Sequence, residues 1–517
     1  MNDYQPSNPN RRLFIQKGLC VASMFGVKTF STSNTFAAST SNAIDAESNG
    51  WNPERAFHLW GKPLRIQPIL QYKVAQPREM TSWRSWGGVL DDESANEEAQ
   101  RIQRELSQLK ERASFPIEIL DVQKVKTEEE AGNALKREFD LALVYPASGS
   151  GQLLQACVPD DRDALLFVRH RSGPTYYWYE ALSVDYLQTD TSERKTRLGK
   201  THVDDVVVDD YDELLWRLRS CYAIRNMKNS RIVAVGGPWG KYAADAPDIA
   251  RKKYGIEIID VGYDHIEPRI QSALKDTQKV ALAEKQAAQY LNLPNTKLQT
   301  DKQFVVNAFL LYGLFKELMI EADAPAFTIK ECMSTIIPMA KTTACLTLGL
   351  LCDEGVIAFC ESDFVVIPAG ILVRHIVDAP VFLHNSTFPH QGTVTCAHCS
   401  APRRMNGSRY EPTTVLTHEE SDYGAAPKVE IPIGQELSFI SPEYTTGRWV
   451  GFRGNVIDNP FLPICRSQQD VHIQGNWKQL LNEVRDSHWL MCYGDHLKEI
   501  GFAARKLDIQ WDNITDV

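Results

Sequence analysis

The first half of the chain alternates short apolar runs with amphipathic stretches. KPLRIQPILQYK (62–73) predicts a first strand. FPIEILDVQKV (115–125), DLALVYPASGS (140–150) and DALLFVRH (163–170) predict three more, and the middle one runs into a Ser/Gly loop. Between them, ANEEAQRIQRELSQL (95–109) sets Ile102, Leu106 and Leu109 at i, i+4 and i+7, the spacing of one helix face. TEEEAGNALKREF (127–139) predicts a helix opened by a capping box, Thr127 with Glu130 three residues on. Strand and helix alternating in this way argue for a parallel α/β sheet.

The pattern restarts near residue 229. NSRIVAVGGPWG (229–240) is a strand feeding a Gly-rich loop, PDIARKKYG (247–255) a helix ended by glycine, and IEIIDVGYD (256–264) a strand. A mostly apolar helix (301–322) and the strand APAFTIKEC (324–332) follow. From about 345 the texture changes to short strands with turn signals between them: GVIAFCESD, PVFLHN, GTVTCAHC and KVEIPIG. A final strand–helix unit, 488–511, closes the chain. The expected organisation is an N-terminal α/β domain (51–228), a second α/β domain (229–344) and a C-terminal α+β domain (345–517).

Composition narrows the partners. A chain of 517 residues has room for about three domains. The net charge of −10, with no long basic stripe, argues against a nucleic-acid partner. No run of 18 apolar residues points to a membrane span. The eleven cysteines show no disulfide-framework spacing, and several sit in apolar runs. The first forty residues differ from the rest. Arg11 and Arg12 precede an apolar stretch and a Ser/Thr/Asn/Ala tract, which resembles a twin-arginine signal peptide and predicts export to the periplasm.

Candidate chemistry gathers late in the chain, where eight of the twelve histidines lie between 375 and 496. CESD (360–363) puts Glu361 and Asp363 at the end of an apolar run, TCAHCSAPRR (395–404) puts His398 at a strand end, and DSHWLMCYGDH (486–496) puts His488 before a buried strand. A carboxylate and imidazoles from separate strand ends suit Mn, Fe, Co or Zn. A lone histidine in a strand is more often an ordinary core or surface residue than a ligand. CAHC lacks the second pair that a structural zinc site needs, and no H-E-x-x-H signature supports a zinc hydrolase.

GVIAFCESD, the HCSAP stretch and SHWLMCYGDHLKEIGFAARKLDI together resemble the C-terminal half of the L-fucose/L-arabinose isomerase superfamily. The resemblance covers roughly 230–517. It implies two Rossmann-like N-terminal domains ahead of an isomerase-like C-terminal domain. It also implies aldose–ketose isomerisation of a free monosaccharide through an enediol, with a divalent ion, usually manganese, as Lewis acid and a carboxylate base. On these motifs Glu361 matches the first acidic ligand and base, His398 the middle histidine ligand and His488 the late one. The second acidic ligand falls on Asn385, which carries no charge and cannot act as a base. The favoured function is therefore a metal-dependent isomerase-like enzyme with Asn385 as a neutral ligand, and the alternative is a relative that binds a sugar without isomerising it. His384, the neighbour of Asn385, is expected on the other side of its strand.

Weaker candidates complete the picture. In WRSWGG (83–88), Trp83 and Trp86 have faces to stack on a sugar and Arg84 can reach its hydroxyls; a packed surface turn reads as well. The resemblance implies that this region completes the pocket of a neighbouring subunit, hence a homo-oligomer. Arg403 and Arg404 are expected either to contact substrate oxygens or to be surface charges, and GGPWG (236–240) reads as a plain β–α turn.

Overall fold

Two parallel sheets, a closed antiparallel barrel and a small three-stranded sheet (Ala426–Val429, Thr413–Leu416, Thr296–Leu298) make up the mixed α/β architecture. The computed structural model describes residues 50–57, 61–187, 201–443, 447–483 and 486–515. The leader expected over 1–40 lies outside these residues.

The first sheet runs in the order Ile117–Ile119, Leu64–Gln71, Leu141–Pro146, Asp163–Val168, Val206–Val208, all parallel. The stretch 115–125, expected as one strand, is two short ones, and both Ile117–Ile119 and Gln123–Val125 pair with Leu64–Gln71. The intervening residues let the chain bend and follow the twist of its single partner. Thr127 and Glu130 form the expected capping box at helix Glu128–Leu135.

The second sheet is also parallel, in the order Ile357–Cys360, Ala326–Ile329, Arg231–Val235, Glu257–Val261. Strand Ile357–Cys360 lies beyond residue 344, so the segment after 345 serves this sheet as well as the barrel. Helix Lys302–Ala322 is long and apolar enough to cross a membrane by length and composition, yet 72% of its most apolar window is buried. It packs as a core helix, with Phe315 stacked on Phe327 of the sheet at 4.4 Å between ring centres.

The barrel has six strands. Glu436–Glu443 pairs with His488–Tyr493, then Phe382–Ser386, Thr393–His398, Ser467–Ile473 and Arg448–Asp458 follow, and the last pairs back with the first. Closure removes exposed sheet edges. Alternate residues fill the inside, where Phe382, Val394, Phe439, Phe452, Val471 and Trp489 form one cluster. The residues between them, such as Leu383 and Leu490, face outward and pack with helix Ile367–Val377. All ten cysteines among the described residues are free thiols.

Helix Ile367–Val377 follows directly from the loop that carries Glu361 and Asp363 and lies against the second sheet. A Cβ on its Gly370 would meet the Phe359 ring at 2.4 Å. Gly370→Ala should therefore destabilise the protein by about 1–3 kcal/mol, opposite in sign to the gain that helix propensity alone gives. Urea unfolding of the variant, compared with wild type, checks the sign.

Candidate active site between the second sheet and the barrel

Ligands of open α/β sheets bind beyond the carboxyl ends of the strands, and strand Ile357–Cys360 delivers Glu361 at such an end. Glu361 and Ser362 both adopt left-handed backbone, with φ of 65° and 52°. Non-glycine residues pay for that conformation in strain, so neighbouring contacts must hold it. The Ser362 N–H donates to Thr328 Oγ1 at 3.1 Å. The GGPWG loop after strand Arg231–Val235 supplies the rest: Trp239 N–H donates to Ser362 O (3.1 Å) and Phe364 N–H donates to Trp239 O (2.8 Å). Gly236 (φ 78°) is required in that loop, because a Cβ there would lie 2.8 Å from the Tyr263 ring and 3.0 Å from Lys330 O.

Asp363 is fully buried and ties three segments together. Its Oδ1 accepts from the Lys241 N–H (3.0 Å) and the Val365 N–H (3.1 Å). Its Oδ2 accepts from Nδ1 of His488 at 2.6 Å. This bond fixes the ring and turns Nε2 toward Glu361. The outward position of His488 follows from barrel alternation, since its neighbour Trp489 fills the interior. Asn385 stands opposite His488 in the strand register and opposite Ala397 on its other side.

Glu361 is the meeting point. Its Oε2 lies 3.2 Å from His488 Nε2 and its Oε1 lies 3.4 Å from His398 Nε2. The carboxylate remains 38% exposed, while both imidazoles are buried. His398 Nδ1 accepts from the Cys399 N–H (3.0 Å) and lies 3.1 Å from Ser400 Oγ. A neutral His398 therefore carries its proton on Nε2, facing Glu361. Burial alone would raise the Glu361 pKa, but hydrogen bonding and charge from His398 and His488 hold it well below the ordinary carboxylate range.

Lys241, the residue after GGPWG, reaches the same point: its Nζ is 3.1 Å from His488 Nε2. Burial alone would lower the His488 pKa, but Asp363 and Glu361 raise it to about 9. The ammonium opposes that second proton and donates into Nε2 once it has left. Two carboxylates against one ammonium set the direction upward.

The structure thus brings Glu361, His398 and His488 together and adds Asp363 and Lys241. Lys241 has no motif of its own in the sequence beyond its place after the Gly-rich loop. Glu331, also left-handed (φ 58°), is 3.8 Å from Lys330, at the end of the neighbouring strand. His384 faces the barrel interior, edge-on to Phe439 and Trp489, and burial pushes its pKa down to about 3. Arg403, expected to contact substrate, is instead buried. Its Nε donates to Glu411 O (3.0 Å), and its guanidinium lies 5.1 Å and 5.5 Å from the ring centres of Tyr290 and Tyr410. Its Nη1 is buried without a hydrogen-bond partner. Arg404 is likewise buried, bonded to Arg55 O and Asp353 O. Trp83 and Trp86 are exposed, with Arg84 over the Trp83 ring at 5.5 Å.

The donor set does not fit a resident divalent ion such as manganese. Among the described residues, no group of three or more His, Cys, Asp or Glu side chains is arranged to hold a metal ion. Each Glu361 oxygen turns to a different imidazole, His398 presents a proton instead of a lone pair, and Asn385 adds no charge. Lys241 Nζ also stands 3.1 Å from Nε2, where its positive charge opposes a metal cation and offsets part of the attraction from Glu361 and Asp363.

Two outcomes follow from this geometry. Ser362 Oγ is buried without a hydrogen-bond partner on a left-handed residue. Ser362→Gly should stabilise the protein by about 1 kcal/mol, read as a higher urea midpoint. The folded His488 pKa of about 9 lies above its ordinary 6.5. Its contribution to stability is full below pH 6.5 and is lost as pH rises through about 9. The gap in urea midpoint between wild type and His488→Gln should be widest below pH 6.5 and narrow as pH rises through about 9. No protein-family model and no curated protein matches this chain.

Proposed function

We propose that this chain binds a free monosaccharide in the crevice at Glu361, and that it is a sugar-binding relative of altered activity within the L-fucose/L-arabinose isomerase-like architecture. In this reading the two parallel sheets correspond to two Rossmann-like units and the barrel to an isomerase-like C-terminal domain. The observation that carries the proposal is the arrangement around Glu361: a part-exposed carboxylate acceptor with the His398 Nε2 proton on one side and Lys241 Nζ and His488 on the other. Alternating donors and acceptors suit neighbouring sugar hydroxyls. The charges of Glu361 and Asp363 balance those of Lys241 and protonated His488, so the site favours a neutral sugar over a sugar phosphate. In an assembly of copies, the exposed Trp83–Arg84–Trp86 loop is available to a neighbour's crevice. The expected export by a twin-arginine leader would place this binding in the periplasm.

The convergence of Glu361, His398 and His488 also favours a second reading, aldose–ketose isomerisation, and one experiment separates the two. Isothermal titration with a panel of aldoses, ketoses and sugar phosphates should show binding of a free sugar, weakened about ten-fold or more in Glu361→Gln, or ~1.4 kcal/mol. The same aldoses incubated with added Mn²⁺ should yield no ketose. Manganese-dependent ketose formation that disappears in Glu361→Gln would establish the isomerase instead, and a panel without any binding would remove the sugar reading.

A further inference from the structure

The position of Lys241 is built into the fold. Its backbone N–H is bonded to the buried Asp363 carboxylate, and two backbone hydrogen bonds clasp the loop before it to the Glu361–Asp363 loop. Together those two bonds form a parallel bridge between Trp239 and Asp363. The Cα of Lys241 is therefore set by the same groups that set Glu361 and His488. From there the side chain reaches Nε2 of His488, the ring nitrogen that the Asp363 bond leaves turned toward Glu361. A carboxylate–histidine pair with the outer nitrogen free is the usual support for a metal ligand. Here an ammonium stands at that nitrogen. Across the strand pair, Asn385 provides an amide where a cation would call for an acid.

We infer that the Lys241 ammonium takes the place of a divalent cation in this site, as a tethered single charge that holds the ligand's oxygen atoms beside Glu361. A lysine ammonium offers three donors and one positive charge. It can therefore neutralise and orient oxygen atoms without a free ion. Lys241 acts as a binding and positioning residue, and Asn385 is its companion: with the cation reduced to one charge, a second carboxylate facing it is not needed. The inference deepens the sugar-binding reading and rests on it for the ligand, but its central claim about charge can be tested without any sugar.

The test is metal binding by isothermal titration with MnCl₂ alone, and by the visible absorption of bound Co²⁺. Wild type, Asn385→Asp, Lys241→Met and the double variant Lys241→Met/Asn385→Asp are compared, with circular dichroism confirming that each is folded. Lys241→Gln gives the same comparison if the methionine variant is poorly folded. Wild type should show no stoichiometric Mn²⁺ or Co²⁺ binding, and the double variant should bind one equivalent at least ~100-fold more tightly. One tight equivalent of Mn²⁺ on wild type, lost in Glu361→Gln, would overturn the inference. So would a folded double variant that binds metal no better than wild type. Sugar titration of wild type is scored separately: its failure removes the ligand reading while leaving the metal result to decide the role of Lys241.

Discussion

A single buried carboxylate holds the site in register. Asp363 receives two backbone N–H groups and the His488 ring, and so joins the loop after Ile357–Cys360, the loop after Arg231–Val235 and a barrel strand. Hydrogen bonds to a charged group contribute about 1.5–3 kcal/mol each, and losing a partner inside the protein costs more than the bond itself contributes. The carboxylate is fully buried, so water cannot replace any of the three. The relative position of the second sheet and the barrel near Glu361 depends on this group.

The strain nearby fits the same picture. Two consecutive non-glycine residues, Glu361 and Ser362, are left-handed. The sharp turn points the Glu361 carboxylate at His398 and His488 while Asp363 turns inward. The turn is tolerated because Thr328 of the neighbouring strand and Trp239 of the loop after Arg231–Val235 hold the Ser362 backbone. Backbone strain that the surroundings hold in place is common where side-chain direction matters for function.

Much of the scaffold was legible from local pattern. The strand at 64–71, the capping box at Thr127 and the glycine that ends helix Ala246–Tyr254 depend on interactions within a few residues. His384 was also readable, because side-chain alternation along a strand is local. The split of 115–125 into two strands was not, since it depends on which partner the segment pairs with. Arg403 shows the same limit. An arginine after a strand end reads as a surface cation until Tyr290 and Tyr410 are known to enclose it.

The sequence by itself determined the alternation of strands and helices, the late concentration of histidines, Glu361, His398 and His488 as separate candidates, and the uncharged residue at 385. Only the tertiary structure decided that these side chains meet and what else meets them. Lys241 is 247 residues from His488 along the chain, and Asp363 is 125 residues from it. Charge at a site is a sum over everything that packs there, and no local pattern encodes a contact across such distances. The tautomer of His398 and the ammonium at His488 arise from that packing, and they turn a set of apparent metal ligands into a site balanced by its own charges.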